Sequence, residues 1–198
     1  MIVEAAALGL GLGVVTGMPL GVVNVAIVDA ALAGRTRFAT GVGIGGALAD
    51  TAHAILGFIG VGALLTARPD LVRWLALGAA ALILTYVVVT WRGREQHRVT
   101  VDDSSFTRGA LTGVALTLPN PGALAAWVAV AAVLWPDATT AEACALGTGV
   151  GVGSAGWFAL LARWISRVRP DHPAIAIVTR SALVVLVGIA GLGVARAL

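Results

Sequence analysis

Asp50 and His53 stand three residues apart in ADTAHAILGFIG (49–60), a stretch otherwise almost wholly apolar. On a helix that spacing puts both side chains on one face. A carboxylate beside an imidazole can hold an ammonium group, take a cation, or trade a proton near neutral pH. The charges flanking this stretch are Arg37 and Arg68, and their midpoint falls between residues 52 and 53. The pair is therefore predicted at the centre of a membrane span, where a carboxylate costs at least about 2.5–3.5 kcal/mol and usually faces a cavity and carries function. His53 is open to two readings, a functional partner of Asp50 or a structural residue satisfied by a neighbouring helix.

Helix breakers fall at the same depth. TGMPLGVVN (16–24) places Pro19 midway between Glu4 and Arg35, and PNPG (119–122) lies midway between Arg108 and Asp137. Proline removes a backbone donor and clashes with the preceding turn, which frees carbonyls that hydrocarbon cannot satisfy. Matched interruptions of this kind mark the binding region of many secondary transporters. Packing kinks are the alternative, because Pro and Gly are common in transmembrane helices.

The elements that must carry these residues follow from composition. The 198 residues are 59% hydrophobic and 12% charged, with mean hydropathy +0.95, far from the roughly 25% charged of a soluble domain. The chain is an all-α integral membrane protein, and the bilayer is its first partner. All thirteen basic residues are arginine, and the net charge is +3. They lie between apolar blocks, so membrane orientation explains them and nucleic acid does not. A single cysteine, Cys144, excludes an intramolecular disulfide and paired-thiol redox chemistry. The N-terminal apolar run has no basic flank and no small-residue cleavage pattern, so it reads as a retained helix.

Apolar blocks at 5–33, 39–66, 71–91, 109–135, 141–162 and 175–195 give six predicted spans, each meeting the roughly 20 residues a crossing needs. Nine arginines (35, 37, 92, 94, 98, 108, 163, 167 and 169) fall on one side and three (68, 73 and 196) on the other; Arg180, inside the sixth block, is left out. The positive-inside tendency then puts both termini outside a cell (plasma or inner) membrane. Residues 1–198 form a single transmembrane domain. Its segments are a first three-helix repeat (1–91), a cytoplasmic linker (92–108) and a second repeat (109–198). GVGIG (41–45) matches GTGVG (147–151) at an offset of 106, Arg73 matches Arg180 at 107, and Pro19 matches Pro121 at 102. Three is odd, so the two repeats cross the membrane in opposite senses, with helices 1 and 4 broken at mid-membrane.

Other polar positions are weaker signals. Asn24, about one turn past Pro19, either fills a freed backbone group or touches substrate. Asp29, six residues before Arg35, either lines a cytoplasmic vestibule or is an arginine-paired structural acid. Trp127 and Trp157 lie inside spans and not at interfaces, where tryptophan is usually found; they pack or wall a pocket. The glycines at 41, 43, 45, 147, 149, 151 and 153 let helices 2 and 5 approach their neighbours closely, within a monomer or between monomers of a homo-oligomer. GVGIGG has no soluble strand before it and is not a nucleotide fingerprint. No residue set calls for a cofactor.

PLGVVN in helix 1, ALAGRTRFATGVG leading into helix 2, ADTAHAILGFIGVGALL through it, LPNP in helix 4 and RSALVVLVGIAGLGVARAL at the end together resemble the LysE/RhtB family of amino-acid exporters. The resemblance runs over nearly the whole chain. It implies efflux of small amino acids or their derivatives, coupled to a proton or cation gradient. By position, Pro19, Gly21 and Asn24 match the first-helix motif, Asp50 the second-helix acid of the branch exporting basic amino acids, and Asn120 and Pro121 the fourth-helix motif. Val22 stands where a second proline is common. LAAWV (124–128) is neutral where the basic-amino-acid branch carries a carboxylate, which leaves the substrate open.

These readings combine into one mechanism. The substrate carboxylate is expected at a half-helix N-terminus exposed by the Pro19 or Pro121 break. Asp50 takes the substrate ammonium or a proton but not both. Two rival classes stay open. A divalent-metal exporter would use Asp50 and His53, though no further mid-membrane ligand completes a metal set. An intramembrane enzyme would need a nucleophile and base, and only Ser154 with His53 offers one.

Overall fold

A computed structural model describes residues 1–18, 21–60, 67–95, 105–135 and 137–167, with six positions between 184 and 195. Pro19, Arg180 and most of the sixth predicted span lie outside the described residues. The described chain is all-helical: α1 Ile2–Gly17, α2 Val22–Leu32, α3 Thr36–Ile59, α4 Pro69–Glu95, α5 Phe106–Thr117, α6 Pro121–Leu134 and α7 Thr140–Ile165. Among the described residues two helices, α3 and α7, are long and apolar enough to cross a membrane alone; counting α1 with α2 and α5 with α6 as bent spans makes four.

Local chemistry sets most of these boundaries. Thr139 caps α7 in a reciprocal box with Glu142, which satisfies two orphan donors of its first turn. Ser105 caps α5, accepting from the Arg108 amide. Gly34, between α2 and α3, has φ 78°, a left-handed conformation that glycine adopts without a Cβ penalty. Helix is described as far as Glu95 and again from Phe106, so the polar linker expected over 92–108 is helical at both of its ends.

The first and fourth expected spans are both broken. The axes of α1 and α2 differ by 66°, and those of α5 and α6 by 71°. Pro121 occupies the first turn of α6 with Asn120 as its N-cap, where a missing N–H costs nothing.

Packing rests on close backbone approach, because lipid tails leave little hydrophobic drive between helices. A Cβ on Gly9 or Gly13 of α1 would collide with the carbonyls of Leu146 and Val150 on α7, and one on Gly149 or Gly153 of α7 would collide with those of Ala6 and Leu10. A second crossing repeats this between α3 and α5: Gly109 and Gly113 sit on the carbonyls of Phe38 and Val42, and Gly41 and Gly45 on those of Phe106 and Ala110. Adding 100 to the α1 positions and 108 to the α3 positions converts one set of contacts into the other. Both crossings are parallel. Each carbonyl over a glycine Cα is worth about 0.5–1 kcal/mol as a weak hydrogen bond.

The two pairs meet where α3 crosses α7. Gly43 lies on Phe158, Gly151 on Thr51 and Ala47, and Gly147 on Ile55, so these two helices run antiparallel. One apolar cluster gathers Phe38, Val42 and Ala47 of α3 with Ile27 of α2 and Phe158 of α7. A second gathers Ala54 and Phe58 of α3 with Trp127, Leu146 and Val150. Asp50 and Ser154 fall between the clusters along both helices, which places the polar residues at the waist of the fold.

Candidate functional site

A helix that stops inside the bilayer strands its last carbonyls, and in hydrocarbon each must find a donor. At the first break, Asn24 on α2 donates its Nδ2 hydrogen to the Gly17 carbonyl at 2.8 Å. Its Oδ1 in turn accepts from the Trp157 indole at 3.3 Å, and that ring packs on Gly17, where a Cβ would stand 3.2 Å from Cδ1. Ser154, fully buried, donates to the Gly13 carbonyl one turn earlier at 3.2 Å. The end of α1 is thus held by side chains of α2 and α7.

The second break is served from α3. His53 Nε2 lies 3.0 Å from the Leu118 carbonyl; a carbonyl only accepts, so Nε2 carries the hydrogen, and in the neutral ring Nδ1 is left as an acceptor. Asn120 turns its Oδ1 onto the amides of Gly122 at 3.0 Å and Ala123 at 3.4 Å. Pro121 has no N–H, and the Leu124 amide bonds to the Asn120 carbonyl. The α6 N-terminus, one of the two ends expected to be exposed, is therefore occupied by its own cap. Gly21, the N-cap of α2, contributes no side-chain cap.

Asp50 sits one turn before His53 on α3, with the Ser154 hydroxyl beside its carboxylate. Asp50, His53, Ser154, Asn24 and Trp157 are thereby brought to one region bounded by both breaks. Asp29 lies elsewhere: it is buried near the end of α2, with Arg35 Nη2 at 3.6 Å from Oδ2, and the guanidinium stands 5.0 Å over the Phe38 ring. Trp127 is buried in the second apolar cluster, its carbonyl against Gly57. Cys144 is exposed on a groove of about 390 Å³ between α1 and α7 that Ala6, Leu10 and Thr148 help line, away from Asp50.

Thr117 escaped the sequence reading. It is 6% exposed in the last turn of α5, and its signal is slight, a hydroxyl two residues before Pro119. The carbonyls of Gly13, Gly17 and Leu118 left no trace in the sequence beyond the breaks themselves.

A family model described as LysE type translocator matches residues 14–196. The chain belongs to the LysE type translocator family. The match takes in both breaks, α3 and α7, so Asn24, Asp50, His53, Thr117, Ser154 and Trp157 all lie within the part shared with the family. In this translocator the membrane assignment made from composition agrees with the family, whose members are transporters. No curated protein and no solved structure matched the chain.

Proposed function

We propose that this translocator is a secondary active exporter of a small amino acid or derivative, working by proton or cation antiport. The observation that carries the reading is the placement of Asp50 and His53 between two broken helices whose last-turn carbonyls are both held by polar side chains, Asn24 at one and His53 at the other. Such breaks at matching positions offer a zwitterion backbone dipoles at mid-membrane. Between the two, the α2 end is the better seat for a substrate carboxylate, since the α6 amides are taken by Asn120.

Asp50 supplies the opposite charge. It receives the substrate ammonium or a proton, and each excludes the other, which yields exchange without a separate coupling site. The matched glycine crossings support two inverted three-helix repeats, with the α1–α7 and α3–α5 pairs as the bodies that rock about the α3–α7 contact. Correctly inserted Asp50→Asn protein should lose gradient-driven export in proteoliposomes; full retained activity would sink the reading.

The rival classes fit less well. Among the described residues no three His, Cys, Asp or Glu side chains gather to hold a metal. Ser154 and His53 bond to different helices, the first to α1 and the second to the end of α5, so the hydroxyl is not held by the imidazole as a nucleophile would be.

A further inference from the structure

His53 Nδ1 and Thr117 Oγ1 are buried and have no hydrogen-bond partner among the described residues. Both side chains are more than nine-tenths buried, at 2% and 6% exposure, where an unmet polar atom is costly and points to a ligand or a functional role. Thr117 also differs from five other helical threonines. Thr16, Thr40, Thr51, Thr85 and Thr112 all turn their hydroxyls onto the carbonyl one turn back, the usual resort of threonine within a helix. Thr117 does not make that bond.

Both residues lie at the second break. In the parallel α3–α5 crossing Gly113 packs against Val42 and Gly46; carrying that register on by one turn puts Thr117 level with Asp50. The next residue, Leu118, receives the Nε2 hydrogen of His53. In the neutral imidazole that bond leaves Nδ1 as a lone-pair acceptor. The Asp50 carboxylate, on the same α3 face one turn before His53, adds a third acceptor and the negative charge.

We propose that Asp50, His53 Nδ1 and Thr117 Oγ1 together form a subsite for a primary ammonium group. Three acceptors meet three N–H donors, and only the carboxylate is charged. The subsite rests on the export reading for its purpose but not for its chemistry. It selects by donor count: a quaternary ammonium carries the charge and offers no hydrogen.

The test separates the two ideas. Protein in nanodiscs is titrated with methylammonium chloride and with tetramethylammonium chloride at equal ionic strength, reading the thermal unfolding midpoint. Methylammonium should raise the midpoint and tetramethylammonium should not. Thr117→Val and His53→Gln should each weaken the methylammonium response about tenfold, and Thr117→Ser should restore it. Gln keeps a donor for Leu118, so His53→Gln remains informative if Thr117→Val fails to fold. Equal responses to both cations, or variants with lowered midpoints but an unchanged concentration dependence, would overturn the subsite. Counterflow of labelled L-amino acids in proteoliposomes is the second arm. Wild-type protein that answers methylammonium but exchanges no amino acid overturns the export reading alone; exchange with an unchanged KM in Thr117→Val overturns the subsite alone.

Discussion

His53 reaches from the middle of α3 to the carbonyl of Leu118, 65 residues away in the chain and 3.0 Å away in space. The same imidazole that closes a gap in a broken helix has its other nitrogen buried and without a partner among the described residues. In the proposed subsite a structural role and a binding role are divided between its two ring nitrogens.

Removing the donor should therefore be separable from removing the acceptor. His53→Ala leaves the Leu118 carbonyl unmet and should cost about 1–3 kcal/mol, whereas His53→Gln should recover more than half of that. Unfolding midpoints in matched detergent compare the two.

The glycine crossings predict a sharp contrast within one helix. Gly13→Val and Gly113→Val each drive a side chain into a backbone carbonyl and should destabilise by about 1–3 kcal/mol or more. Gly11→Ala meets open space and should gain about 0.5–1 kcal/mol from helix entropy. Folded yield and thermal midpoint report both.

Asn24 and Trp157 should behave as one unit. Asn24→Leu strands the Gly17 carbonyl and costs about 1–3 kcal/mol, while Trp157→Phe, which keeps the ring on Gly17, loses about 0.5–1.5 kcal/mol. The double variant should cost less than the two single changes together. Additive losses would mean that the indole bond contributes nothing to holding Asn24.

Topology can be read with thiol labels in a Cys144→Ser background. With both termini outside, Asp137→Cys should react with a membrane-impermeant maleimide added to intact cells, and Arg37→Cys only after permeabilisation. Both parent side chains are exposed, so access depends on the side of the membrane and not on burial.

The sequence by itself determined what depends on composition and local chemistry. Hydropathy and arginine placement called for an all-helical membrane protein. The second break was legible from PNPG, because Asn at an N-cap followed by Pro in the first turn is a local preference. Asp50 and His53 stood out because ionisable groups are so costly at that depth. The glycines of α3 and α7 announced close approach, yet not that α5 and α1 would be what they approach.

Tertiary structure alone decided which side chains answer the stranded carbonyls. Whether Asn24 turned to Gly17 and His53 to Leu118 depends on helix crossings set by glycines that carry no polar signal of their own. The same holds for Thr117, one threonine among many until its neighbours are known. A freed carbonyl states that a donor is needed; only the packing of the other helices determines which residue can reach it.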